Sequence, residues 1–134
     1  MCKPKEFDLV NRDEYNKYNT DLAFHALRLP IKDTPRSPWY NFTSTRSFTL
    51  EPGNIILVPS GIKACTKDDE VLVCTPICSA RLEREVQFVN ESPVKYTHNS
   101  KEQHIVFELV NNGEEPWNVK VGDVIVQGIF LPRV

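Results

Sequence analysis

Apolar and polar residues alternate along most of this chain with a period of two rather than 3.6. Residues 47–50, 54–63, 70–78, 85–89, 104–110, 117–121 and 124–131 read as short strands, rich in Val, Ile, Phe and Thr. Turn residues punctuate them at Glu51-Pro52-Gly53-Asn54, Pro59-Ser60-Gly61, Lys67-Asp68-Asp69, Asn111-Asn112-Gly113-Glu114 and Val121-Gly122-Asp123. Many short strands at regular spacing predict an all-β sandwich or barrel. One parity of each strand turns inward, which selects Ile55, Leu57, Leu72, Cys74, Phe88, Phe107, Leu109, Val119, Ile125 and Ile129 as core. The N-terminal stretch departs from this pattern. Asn11-Arg12-Asp13-Glu14 has the form of a capping box and predicts a short helical turn over 12–18, after which 22–29 reads at least as well as strand. Nothing marks a second domain, so residues 1–21 are expected to be an N-terminal extension and 22–134 the barrel.

Composition and charge narrow the classes of function. The 134 residues suffice for one core, and 40% hydrophobic with 25% charged residues is globular. Sixteen basic residues against eighteen acidic ones, with no basic block, argue against a bulk electrostatic grip on nucleic acid. No apolar run approaches the ~18–20 residues of a membrane span. The polar start Met1-Cys2-Lys3-Pro4-Lys5 is not a signal peptide, so a cytoplasmic or host-intracellular location, not a secreted one, is expected. In that reducing setting Cys2, Cys65, Cys74 and Cys78 read as free, small, buried side chains rather than a disulfide framework. Cys74 and Cys78 are the one close pair, and the spacing of His98 and His104 fits no common zinc pattern, so no metal site is predicted. Trp39 and Trp117 stand where strands meet turns and read as packing residues.

Two segments carry a family resemblance. Leu50-Glu51-Pro52-Gly53-Asn54-Ile55-Ile56-Leu57-Val58-Pro59-Ser60-Gly61-Ile62 has a strand, a Pro-Gly turn and a strand end of the "VPTGI" kind. The run from Asn111-Asn112-Gly113 through Pro116 and Val119 to Gly122-Asp123-Val124-Ile125-Val126-Gln127 follows "N-x-G-x-x-P-x-x-(I/V)-x-x-G-D-x-I-x-Q". On these segments and their order, the chain from about residue 24 onward resembles the trimeric dUTPase family. The resemblance implies a distorted jelly-roll β-barrel, assembled as a homotrimer with active sites built between subunits.

Hydrolysis of dUTP asks for Mg²⁺ on the triphosphate, an Arg and a Ser on the phosphates, a carboxylate to orient water, and donors for the uracil edge. The family's first motif, A-G-Y-D-L-Y-S, falls on Pro38-Trp39-Tyr40-Asn41-Phe42-Thr43-Ser44, with neutral Asn41 in place of the acid near the metal's water shell. The second, P-R-S-(G/S)-L-A, falls on Pro76-Ile77-Cys78-Ser79-Ala80-Arg81, with Ile77 for the Arg and Cys78 for the Ser. Arg81 and Arg84 are offset from that Arg position. The third motif's hairpin corresponds to residues 92–104, which contain no Asp; its catalytic position falls on Tyr96 or nearer His98, and Glu102 is its one acid. Asn90 aligns with a family Asn just before that hairpin. The fourth motif persists as Gly122-Asp123-Val124-Ile125-Val126-Gln127, and the family's glycine-rich C-terminal arm has no counterpart in this sequence.

These departures predict a catalytically degenerate dUTPase-fold protein, without dUTPase activity, that acts by binding. A homotrimer would hold a protein partner or a nucleotide-like ligand in its clefts, in a regulatory or sequestering role. Because viruses and phages carry such relatives, the resemblance implies a viral or phage origin. The pocket candidates are Asn41, Cys78, Ser79, Asn90, Tyr96 and Gln127; no catalytic residue, metal ligand or cofactor is assigned. The alternatives are an active dUTP nucleotidohydrolase with a rearranged site, using Glu102 or His98 and requiring Mg²⁺, and a purely structural trimeric barrel.

Overall fold

The computed structural model describes residues 6–90, 93–97 and 103–133. Its strands are β1 (Phe7–Leu9), β2 (Ile31–Lys32), β3 (Trp39–Thr43), β4 (Phe48–Leu50), β5 (Ile55–Pro59), β6 (Ile62–Ala64), β7 (Glu70–Pro76), β8 (Val86–Phe88), β9 (Val94–Thr97), β10 (Val106–Asn111), β11 (Trp117–Val119) and β12 (Val124–Pro132). Two short helices, α1 (Arg12–Tyr15) and α2 (Cys78–Glu83), join them. A five-stranded sheet in the order β2-β3-β12-β7-β9 faces a three-stranded sheet, β5-β10-β8, and the pairs β1-β6 and β11-β4 complete the wall. The wholly strand-built body is the all-β barrel the alternation predicts.

The core lies between the two larger sheets. Phe42 on β3 meets Phe107 on β10 edge-to-face, ring centroids 5.4 Å apart, and Phe88 on β8 packs beside them. Leu72, Cys74, Leu109, Val119 and Ile125 are buried around these rings, as their strand parity implies. Burial pushes the Cys74 thiol pKa far up, as for a small apolar side chain with no solvent.

Three inward assignments fail, each because pairing overrides local alternation. Ile55 and Leu57 are 54% and 46% exposed. Directly opposed residues of an antiparallel pair share a face, and β10 sets Phe107 against Val58 and Leu109 against Ile56, so the even residues of β5 go inward. In β12 the register shifts between Val124 and Val126, and the bulge buries both Ile125 and Val126. Parity inverts beyond it, leaving Ile129 half-buried.

Other boundaries move for equally local reasons. The expected strand over 54–63 is cut in two because Gly61 takes φ +76°, a left-handed turn that β5 cannot continue through. Residues 24–26 form a single 3₁₀ turn rather than a strand. Cys78 opens α2 instead of ending β7. α1 is shorter than expected, capped by Asn11 Oδ1, which accepts from the Glu14 amide at 2.8 Å. β1 pairs with β6, and Phe7 packs into the core against Tyr40, Phe42 and Phe130. The expectation of four free cysteines also fails: Cys65 is disulfide-bonded, while Cys74 and Cys78 are free. Among the described residues no helix is long and apolar enough to cross a membrane.

Candidate active site

Strand β12 is the organiser. It pairs with β3 on one side and β7 on the other, placing Gln127 opposite Asn41 and opposite Thr75. The Gln127 Nε2 donates to Asn41 Oδ1 at 3.3 Å, and both side chains are half-buried. Just beyond Thr75 the Ile77 amide donates to the Ile125 carbonyl at 2.8 Å, fixing the point where β7 turns into α2. Three separated sequence segments thereby meet at one end of the five-stranded sheet. The turn of the fourth motif is tied to the first in the same way: Ser44 N donates to Asp123 O and Gly122 N to Ser44 O.

Cys78 and Ser79 stand exposed on the first turn of α2. Arg81, one helical turn on, reaches back so that its Nη2 lies 3.7 Å from Cys78 Sγ. This is a guanidinium over the position of the family's phosphate-binding Ser. Its offset from the family's Arg column hides it from motif alignment; the i, i+3 spacing from Cys78 was the signal available. Arg84 is directed elsewhere, 3.7 Å from the Glu115 carboxylate.

Asn90 and Tyr96 form a second group. With Phe88, Val89, Val94, Val106 and Glu108 they line a pocket of about 290 Å³ among residues of β8, β9 and β10. Tyr96 is 8% exposed and also belongs to the core, while Asn90 is exposed. Tyr96 pairs with Leu72, three residues up β7 from Thr75, so the groups are offset by ~10 Å along that strand alone. The six candidates therefore fall into an Asn41–Gln127 pair across β3 and β12, Cys78 and Ser79 exposed at the start of α2, and an Asn90–Tyr96 pocket. His98 and Glu102 lie outside the described residues.

One polar constellation escaped the sequence reading. His104, at the entry to β10, accepts the Gly61 amide at Nε2 (2.9 Å) and meets Glu14 Oε2 through Nδ1 (3.0 Å). Burial lowers the imidazole pKa, and the bond to Glu14 opposes that shift. Glu14 is in turn held low by hydrogen bonds from Lys17 and then His104. His104 and Glu14 are 90 residues apart, and no local motif pairs them.

No protein-family model matches the chain. A curated relative named deoxyuridine 5'-triphosphate nucleotidohydrolase, from Lactococcus lactis subsp. lactis (strain IL1403), is 26% identical over 111 residues, covering 80% of this chain and 74% of the relative. The crystal structure of dUTPase from Streptococcus mutans superposes with a TM-score of 0.71 at 24% identity, covering 97% of each chain. A mutant dUTPase from phage phi11 of S. aureus, described with a structural Mg(II) ion, has a TM-score of 0.72 at 11% identity, covering 96% of this chain and 90% of that one. The barrel is thus the dUTPase-like jelly roll. In sequence and in fold the chain is similar to these dUTPases.

These relatives overturn the expectation of a catalytically degenerate binding protein, and with it the expectation that dUTPase activity is lost. The inference of lost chemistry required each catalytic group to occupy its own motif column. Arg81 illustrates how a helical turn can bring a cation beside Cys78 from another column.

Proposed function

We propose that the protein hydrolyses dUTP to dUMP and pyrophosphate, using a rearranged version of the family site. The relationship to enzymes named as dUTPases across four-fifths of the chain carries this reading. In it, the Asn90–Tyr96 pocket takes the nucleoside, and Cys78, Ser79 and Arg81 face the phosphates. The Arg81 guanidinium supplies the charge that Ile77 lacks. Among the described residues no three of His, Cys, Asp and Glu cluster, so these side chains do not form a metal cage. The amides of Asn41 and Gln127 would suit hydrogen bonds to the water shell of a Mg²⁺ ion brought by the triphosphate, which would neutralise phosphate charge. Of the two candidates for orienting water, Glu102 is the carboxylate and His98 the imidazole.

The two halves of the site lie apart in one chain, and a homotrimer that juxtaposes one subunit's pocket with another's α2 would complete it. Exposed Ile55, Leu57, Leu82 and Leu131 offer apolar surface for such packing. The test is pyrophosphate release from dUTP with and without Mg²⁺. Metal-dependent release that Arg81→Ala slows by about 10–100-fold, chiefly through KM, is expected. No release from dUTP at any Mg²⁺ concentration would sink the proposal.

A further inference from the structure

His104 joins three parts of the chain that sequence keeps apart. Its Nε2 accepts the Gly61 amide, so this nitrogen carries no proton, and the ring must be the Nδ1–H tautomer that donates to Glu14. The Gly61 carbonyl accepts the Val10 amide at 2.9 Å, tying the start of the α1 segment to the same turn. Ser60 completes the knot, since its amide and hydroxyl both donate to the Ile105 carbonyl, at 3.0 and 2.6 Å. The Tyr18 ring meets the imidazole edge-on, centroids 5.4 Å apart. The His104 side chain is 5% exposed.

This knot forms one wall of a cleft of about 610 Å³ that Asn11, Glu14, Tyr18, Lys63 and Gln103 also line. Tyr96 and Val106 line both this cleft and the Asn90 pocket. Tyr96 and Val106 are thus walls common to the cleft beside His104 and to the Asn90 pocket. We propose that His104 is a positioning residue for the nucleoside pocket: as neutral imidazole it holds α1 and the Ser60-Gly61 turn against the start of β10, and so fixes the Tyr96 wall. The proposal rests on the hydrolase reading above. It is not a catalytic role, because both ring nitrogens are already engaged within the chain.

A proton on Nε2 turns the acceptor for Gly61 into a second donor, and two donors then face each other in a buried site. The ionisable groups around the ring are Glu14 and Lys17 at α1, Tyr18 just after it, Lys63 on β6 and Tyr96 on β9. Glu14 alone of these favours the cation by direct contact, and Lys17 draws on the same carboxylate. Protonation therefore breaks the Gly61 bond while leaving the Glu14 contact, and loosens the turn rather than the helix.

The test compares the pH dependence of KM for Mg·dUTP in the wild type and His104→Gln between about pH 5 and 8. Glutamine retains an acceptor for Gly61 and a donor for Glu14 but does not titrate, and both proteins share the titration of the substrate. One pH unit below the imidazole pKa about a tenth of wild-type molecules keep the knot, so the ratio of wild-type to variant KM should rise about tenfold while the kcat ratio stays flat. His104→Leu, which has neither donor nor acceptor, should show a raised KM at every pH. A KM ratio that stays constant with pH, or a change confined to kcat, overturns the proposal. Absence of dUTP turnover by the wild type at every pH instead removes the hydrolase reading, and this inference falls with it.

Discussion

Asn111 is fully buried and uses both ends of its amide. Its Nδ2 donates to the carbonyls of Leu50 (2.9 Å) and Glu115 (2.8 Å), and its Oδ1 accepts from the Gly113 amide (2.9 Å). One side chain thereby closes the 111–117 turn onto β4, which explains why an amide stands at this point of the fourth-motif segment. Asn111→Ala strands the Leu50 carbonyl in a buried site and should cost about 1–3 kcal/mol in urea unfolding; a loss below about 0.5 kcal/mol would mean water replaces the amide. Phe107, 1% exposed and flanked by Phe42 and Phe88, is the apolar counterpart, and Phe107→Ala should cost about 3–5 kcal/mol. His104 adds a pH term whose sign follows from burial. Its folded pKa lies below the ordinary 6.5, so the unfolded chain binds more protons; the stability it contributes is present above 6.5 and is lost as pH falls through the folded value. The urea midpoint of the wild type should therefore drop further than that of His104→Gln on acidification. Parallel drops would show that the ring does not titrate with folding.

The same logic of pairing governs the elements. A strand's own alternation gives two candidate faces, and the neighbour chooses between them: β10 chose for β5, and the bulge in β12 chose for Ile129. Gly61 is where this choice is anchored, because its positive φ separates β5 from β6 and presents its amide to His104. A Cβ there would lie 2.6 Å from Leu27 Cδ1, so Gly61→Ala meets both backbone strain and a clash. It should destabilise by ~1 kcal/mol or more and lower Tm. An unchanged Tm would show that Leu27 moves aside and the turn relaxes. The end of β12, Gly128-Ile129-Phe130-Leu131, carries no charge. β7 pairs with it through Pro132 while β3 reaches only Ile129, and Phe130 packs on Phe7 and Tyr40 of its own chain. Phe130→Asp should therefore lower stability rather than merely dissociate an oligomer, as thermal melts beside light scattering would distinguish.

At the scale of the whole molecule, assembly is the decisive open quantity, since the proposed site needs two subunits. Light scattering after size exclusion should return about three times the 15.4 kDa chain mass; a mass near one chain would remove the composite site. The sequence by itself determined the all-β class, most of the strands and the inward face of β7, β10 and β11, because period-two alternation and turn chemistry are local properties. It also carried the resemblance to dUTPases, through the segments ending at Ile62 and Gln127. Only the tertiary structure decided the face of β5, the bulge in β12 and the union of Asn41 with Gln127. The His104–Glu14–Gly61 knot belongs to the same set. Each depends on register and on which residues pairing sets side by side, and contacts spanning tens of residues leave no period or spacing in the chain to be read.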